Sequence, residues 1–436
     1  MKSKLIKSIC VITATIITTS AVLTGCGNSD SSKGKGGNEK EIVLTLNDNS
    51  KVANEYAITN DIVAKYKEVA PNVTIELESP KDGTDQENQL KIRKSANELP
   101  DIMIVNKKLM TDLKDSLLPL DELESAKNNE LLDNGMIDGK IYGLCTGYNL
   151  DFAFYKKSVF EELNLEIPQT WDEFIEVSKA IKNAGKYIPI LMGAKDPWVT
   201  FPLYEAMPFI EANNGDVYSM MASTEEPFSP GQPFYDAVEK IQKLNDAKVY
   251  GDDPVGLGFD QVKSMIGNKG AMLLSSQWFL GDAEKANNGD LSDIGVFLIP
   301  YRDSASDEFN VLAHPSSNIC INKNSENVEE AKKFVEWYLS EEWLPGQLEA
   351  ITAFSPIKGQ VVNLHPMITE AMEAQEKINL ITQNIGGNDD FIKIKNEIKF
   401  DVDSLGQEII SGKDYKVVMK DLNRAWKDAR EKLGIK

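Results

Sequence analysis

The chain is short of histidine, cysteine, basic charge and long apolar runs, and each shortage removes a class of function. Only two histidines, His314 and His365, occur in 436 residues, each directly before a proline. Neither belongs to an HExxH zinc pattern or a GxSxG nucleophile elbow, so a histidine-based hydrolase lacks its base, and both are expected on surface loops. Four cysteines with no CxxC spacing exclude the common zinc and dithiol motifs. Lysine and arginine number 47 against 68 acids, for a net charge of −21. Such a field repels phosphate backbones, so no nucleic-acid partner is expected. No apolar run reaches the ~20 residues that a membrane-spanning helix requires. Gly256-Leu257-Gly258 lacks both a third glycine and a P-loop lysine, so no phosphate cradle is expected either. Nothing points to a metal or a cofactor.

What is present begins with Lys2, Lys4 and Lys7, a short apolar run from Ile9 interrupted by Thr13, Thr15, Thr18 and Thr19, and then Leu23-Thr24-Gly25-Cys26. This order resembles a bacterial lipoprotein signal. The resemblance implies cleavage of residues 1–25 and a diacylglycerol on the Cys26 thiol. Residues 26–40, nearly all Gly, Ser, Asn and charge, read as a flexible tether. The expected location is therefore outside the cytoplasm, anchored to the cell membrane by the N-terminal lipid. Cys145 and Cys320 remain, and an oxidising compartment permits a disulfide between them as readily as two buried free thiols.

The body opens on an apolar strand, Ile42 to Leu46, that runs into the polar turn Asn47-Asp48-Asn49-Ser50. Ile58, Ile62, Tyr66 and Val69 mark one helical face before Pro71, and Val73, Ile75 and Leu77 alternate as a second strand. Strand, helix and strand in that order give parallel pairing and an α/β sheet. Further strands end at Asn106, begin after Tyr148-Asn149, and end at Ser275-Ser276-Gln277-Trp278. Thr170 has the sequence setting of a helix cap, and Ile188 to Leu191 leads into the loop Gly193 to Trp198. Ligands of open α/β sheets bind beyond the strand ends.

Trp198 and Trp278 both lie just past an apolar strand, among hydrogen-bonding side chains. An indole face fits the axial C–H face of a pyranose, and Asp, Asn and Gln bridge its hydroxyls. Covering such a face is worth on the order of 2 kcal/mol and each charge-assisted hydrogen bond roughly 1.5–3 kcal/mol, so a few of each reach about −8 kcal/mol, or micromolar affinity. Trp171, Trp337, Trp343 and Trp426 occupy helical positions and are expected to pack. Asp252-Asp253 and Asp389-Asp390 do not follow a calcium-loop pattern and read as solvated turns. Among 68 acids a carboxylate pair is always available, which keeps a surface glycosidase open as an alternative.

Segments in fixed order carry a resemblance: Leu99 to Met103, Asp138 to Leu144, Phe154 to Lys157, Pro168 to Phe174, Gly270 to Trp278, Ile294 to Pro300, and Ile321 to Phe334. Together they resemble the extracellular solute-binding proteins of bacterial ABC transporters, in the sugar-binding family that includes maltose-binding protein. The resemblance implies a two-lobed, periplasmic-binding-protein-like α/β fold with crossing hinge strands. Residues 41–147 and 319–358 would form lobe 1, and 148–318 and 359–436 lobe 2. Ligand positions would fall on Asn47, Asp48, Asn106, Tyr148 and Asn149, and in lobe 2 on Asp196, Trp198, Gln277 and Trp278. The implied function is capture of a mono- or oligosaccharide by a monomer that serves a membrane permease, without catalysis. A peptide, polyamine or metal ligand, or a sensory role, stays open. Two departures stand out: Ala313-His314-Pro315 replaces a common Gly-Trp-Gly run, and only Phe391 and Phe400 are available for an aromatic platform near the C-terminal helices.

Overall fold

The computed structural model describes residues 40–435. The expected signal peptide, the lipidated Cys26 and all of the tether except Lys40 lie outside the described residues. Among the described residues no helix is long and apolar enough to cross a membrane.

Two α/β bodies make up the fold. The first is built on a five-stranded sheet in the order Val73–Glu78, Ile42–Asp48, Ile102–Val105, Asn318–Ile321, Leu144–Cys145. Its first three strands run parallel, as the strand-helix-strand order requires, and Asn318–Ile321 is antiparallel to Ile102–Val105. Leu44, Leu46, Val73 and Ile75 point into a core shared with Phe334, Trp337 and Trp343. Tyr66 meets Phe334 edge-on at 5.0 Å, and Trp337 lies 5.2 Å from Trp343.

The single helical face expected from Ile58 to Val69 is split in two. Helices Lys51–Thr59 and Ile62–Val69 are separated at Asp61, which takes a left-handed conformation and caps the second helix by accepting from Ala64 N–H. The break rotates the two faces apart, so Ile62 and Tyr66 are buried while Ile58 is 68% exposed.

The second body has the sheet Ile294–Leu298, Asp151–Lys156, Gly270–Ser276, Ile188–Leu191. It is covered by helices that include Trp171–Ala184, capped by Thr170 as its sequence suggests, Pro233–Ala247 and Tyr415–Leu433. Trp171 and Trp426 are fully buried there. So are Phe391 and Phe400: Phe391 stacks on Tyr218 at 4.5 Å, and Phe400 packs 5.4 Å from Phe228. The two aromatics considered for a platform are thus core residues. Asp389 and Asp390 open the helix Asp389–Ile398 instead of forming a free turn.

The bodies are joined by two crossing segments, Leu144 to Asp151 and Pro315 to Asn318. They hydrogen-bond to each other, Thr146 N–H to Ser317 O at 3.0 Å and Ser316 N–H to Gly147 O at 2.8 Å. A small sheet, Ile378–Thr382, Phe309–Pro315, Tyr148–Asn149, buttresses the crossing. His314 belongs to its central strand, facing Asn149 in register, so the surface-loop expectation for this residue is wrong. Pro315 misled: at a strand end its missing N–H costs no ladder bond. His365 is exposed and caps the helix Pro366–Glu373. Cys145 and Cys320 are both free and buried. Burial pushes the Cys145 thiol up to about 11, although the Gly147 carbonyl accepts from it at 3.0 Å.

Candidate functional site

Strand Ile188–Leu191 delivers the turn Pro197–Thr200, and strand Gly270–Ser276 delivers the neighbouring turn Gln277–Phe279. The two strands pair in parallel, so their ends project on the same side and the two indoles arrive together. Trp198 and Trp278 lie 6.1 Å apart at 45°. Two residues absent from the sequence-based set complete an aromatic wall. Phe259 is 4.9 Å from Trp198 and 5.8 Å from Trp278, and Phe201 stacks on Trp198 at 6.4 Å and 19°. Asp196 ties the wall together: its Oδ2 accepts from Phe259 N–H at 2.8 Å. Trp198 remains 40% exposed, the behaviour of a side chain that has an apolar face to offer.

Beneath the wall, Gln277 clamps the crossing segment. Its Oε1 accepts from Leu150 N–H at 3.0 Å, and its Nε2 donates to Asn149 Oδ1 at 2.8 Å. Tyr148 stacks on Phe354 at 5.3 Å and 20°. Gln277 is fully buried, so it holds this corner in shape rather than facing solvent.

In the first body, Asn47 and Asp48 sit side by side at the end of their strand, and both are buried. Asn47 donates to Glu78 at 3.0 Å and accepts from Gln86 at 2.9 Å, while Asp48 Oδ1 accepts from Ser50 N–H at 2.8 Å. Burial raises the Asp48 carboxyl to about 6, against the lowering pull of Ser50 N–H. Asn106 is exposed and caps the helix Lys107–Leu113 through Leu109 N–H at 2.9 Å. Gln86 links these strand ends, since its Nε2 also donates to Ile104 O at 3.0 Å.

Between the bodies lies a polar crevice of about 860 Å³. Lys107 and Asp133 face it from the first body, and Asn213, Asp216, Asn384 and Asn388 from the second. Asn384 fixes the far wall, donating from its backbone to Gly215 O at 2.8 Å and from Nδ2 to Asp216 at 2.9 Å. Lys107 is largely buried, its Nζ donating to Met136 O at 2.5 Å, and burial lowers it to about 8 although Asp133 pulls the other way. Its stem faces Gly386, where a Cβ would stand 3.4 Å from Lys107 Cε. The indoles do not line this crevice. Gln383, adjacent to Asn384, connects it to the wall by pairing with His314, whose ring meets Phe201 edge-on at 5.6 Å.

The structure thus brings Trp198, Trp278 and Asp196 into one wall, Tyr148, Asn149 and Gln277 into one corner, and Asn47, Asp48 and Asn106 onto neighbouring strand ends. Sequence reasoning missed Phe201, Phe259, Lys107, His314 and the asparagine-bearing loops. The runs Asn213 to Asp216 and Asn384 to Asn388 were visible only as turn chemistry, with no periodicity to aim them.

Two α/β bodies tied by mutually bonded crossing segments, with an aromatic wall at the strand ends and a polar crevice between, define a two-lobed ligand trap. The chain belongs to the bacterial extracellular solute-binding protein family, whose model matches residues 49–344. It is accordingly a solute-binding protein and not an enzyme. The multiple sugar-binding protein of Streptococcus mutans is 21% identical over 333 residues, 73% of this chain and 75% of that protein. The apo form of RafE from Streptococcus pneumoniae superimposes with a TM-score of 0.70 at 15% identity, over 91% of this chain and 100% of that one. A binding protein of an ABC transporter from Bifidobacterium animalis, in complex with mannobiose, gives 0.68 at 19% identity over 90% and 95%. At these identities the two structures establish the fold alone.

Proposed function

We propose that the protein captures a carbohydrate between its lobes and presents it to the membrane permease of an ABC importer. The observation that carries this reading is the aromatic wall: Trp198, Phe259 and Trp278 within 6.1 Å of one another, with Trp198 40% exposed at the edge of a polar crevice. A flat apolar face next to amide and carboxylate groups suits a pyranose and does not suit a metal ion or a bare polyamine. The names of the relatives, a multiple sugar-binding protein and a mannobiose complex, support the same ligand class.

On this reading Trp198 and Trp278 stack on the sugar, and Asn106, Tyr148 and Asp196 meet hydroxyls from the strand ends. Asn47, Asp48, Asn149 and Gln277 act mainly by keeping those ends in place, because their hydrogen-bonding groups are already engaged. Residues 41–147 and 319–358 form lobe 1, and 148–318 and 359–436 form lobe 2, each with its own apolar core. Closure is a population shift driven by a ligand that touches both lobes. The protein works as a monomer, held at the external face of the cell membrane by the lipid on Cys26 after loss of residues 1–25. Isothermal titration against raffinose, melibiose, mannobiose and their component monosaccharides tests the ligand class. Heat signals for at least one of them are expected, and none across a broad carbohydrate panel would sink it.

A further inference from the structure

His314 spends both ring nitrogens on partners from distant parts of the chain. Nε2 lies 2.8 Å from Asp151 Oδ2, and Nδ1 lies 3.2 Å from Gln383 Oε1. The orientation of Gln383 is fixed independently, because its Nε2 donates to the Glu205 carboxylate at 2.9 Å and a carboxylate only accepts. Gln383 Oε1 therefore demands an N–H at Nδ1, and Asp151 accepts one from Nε2. A ring that donates from both nitrogens is an imidazolium. Its side chain is 13% exposed and that of Asp151 2%, so the pair is held in a low-dielectric pocket.

The same ring reaches the binding wall by two routes. It meets Phe201 edge-on at 5.6 Å and 85°, and Phe201 stacks on Trp198. Through Asp151, whose Oδ1 lies 3.3 Å from Ser276 Oγ, it also touches the strand that ends in Gln277 and Trp278. A positively charged edge against the face of a phenyl ring is attractive and directional. We propose that His314, as a doubly protonated imidazolium, is the positioning residue of the aromatic wall, holding Phe201 and Trp198 in register with the Trp278 turn. Ligand affinity then follows the second proton of this ring. The affinity part rests on the carbohydrate-capture reading; the control of wall geometry does not.

Burial opposes the charge on His314, but Asp151, Glu205 and Gln383 together outweigh it and raise the ring to about 9. The surrounding groups come from several elements. Tyr301 reaches Asp151, Tyr218 reaches Glu205, and Asp401 and Asp403 face Glu205 from the start of helix Val402–Ile410. Asp403 is itself raised to about 7, first by burial and then by Glu205 and Asp401, with Lys395 opposing. Above pH 7 an ionised Asp403 adds negative charge on the Glu205 side and favours the imidazolium. The contribution of His314 is thus complete below its ordinary value of 6.5 and disappears as pH rises through about 9.

Two histidines make the test clean. In protein labelled with nitrogen-15 histidine, the variant His365→Gln leaves one ring to follow by NMR. Both nitrogens of that ring should be protonated at pH 7, with loss near pH 9; a midpoint at or below 6.5 overturns the proposal. His314→Gln alone strands a buried carboxylate, so the functional comparison uses the double variant Asp151→Asn with His314→Gln, which removes both charges and keeps hydrogen-bonding groups. Acrylamide quenching of Trp198, taken as the difference from matched Trp198→Phe proteins, should change in the double variant at pH 7 and lose its pH dependence. Raffinose affinity should fall about tenfold and no longer vary between pH 7 and 10. Unchanged quenching, or wild-type affinity with its pH dependence intact, overturns the proposal. If wild-type protein ignores raffinose, that ligand assignment fails and the quenching comparison decides by itself.

Discussion

Replacing Trp198 by alanine is expected to weaken sugar binding about 30-fold while leaving the fold nearly untouched. A tryptophan side chain presents about 150–250 Å², and with 40% of the residue open to solvent roughly 100 Å² is available for a ligand to cover. At about 25 cal/mol per Å² that surface supplies on the order of 2 kcal/mol, which is about 30-fold in Kd. Within the free protein the indole chiefly leans on one tilted ring at 4.9 Å and one stacked ring at 6.4 Å. Removing it costs about 1 kcal/mol of stability and a Tm shift of about 2 °C. Calorimetric titration with whichever panel sugar binds, paired with a thermal melt, separates the two effects. The contrast is Trp426→Ala: that ring is fully buried, so about 3–5 kcal/mol of stability should go. The reasoning fails if Trp198→Ala binds within twofold of wild type while melting normally, because the exposed indole would then be covered by nothing.

Three further outcomes follow from buried ionisable groups. Asp48→Asn keeps an acceptor for Ser50 N–H but removes a carboxyl that burial has raised to about 6. The variant should be more stable at pH 7 by up to about 3 kcal/mol, an advantage that denaturant titrations should show shrinking as pH falls through 6 toward 4; equal advantage at pH 4 and 7 contradicts the burial account. Lys107 is lowered to about 8 by burial, so the folded state binds its proton less well than the unfolded chain. Wild type should gain on Lys107→Met by up to about 3 kcal/mol as pH rises from 8 toward 10.5, and a flat difference across that window rules it out. The buried thiols of Cys145 and Cys320 are both raised by burial, and should react with a thiol reagent at pH 8 only at the rate of unfolding; prompt labelling at either in native protein would contradict this.

Local chemistry made much of this architecture readable. An apolar run meeting a polar turn located the strand Ile42–Asp48 and its parallel partner Val73–Glu78, and Thr170 announced the helix it caps. The convergence of Trp198 and Trp278 could be anticipated because each follows an apolar strand, and strands that pair in parallel end on one side. What stayed hidden depends on distant partners. Nothing near His314 reveals Asp151, 163 positions earlier, and a histidine beside a proline reads locally as a loop. Helical spacing grouped Ile58 with Tyr66, but a single left-handed aspartate turned one of them outward. Phe391 and Phe400 show the same limit: spacing identifies an aromatic face without saying whether a core or a ligand covers it.

The division of labour between the lobes bears on how closure would work. Lobe 2 carries a wall that is assembled without ligand, since the Asp196 to Phe259 bond and the Gln277 clamp are already made. A sugar landing there meets a surface that has already been ordered, and more of the gross contact energy survives as affinity. Lobe 1 offers strand ends whose polar groups are largely engaged, plus Lys107 pressed against Gly386 across the crevice. On the proposed reading, first capture belongs to lobe 2, and lobe 1 contributes only the increment that separates closed from open. Only that increment can shift the population, and moving it from 1:99 to 99:1 takes about 5.5 kcal/mol. Two or three hydrogen bonds from lobe 1, several of them to charged groups, are of that size. A substitution on the aromatic wall should therefore weaken binding to open and closed forms alike, whereas one at Asn106 should spare initial binding and suppress closure. Paired titration and small-angle scattering on Trp278→Ala and Asn106→Ala distinguish the two, and equal loss of compaction per bound ligand in both would show that the lobes share the work.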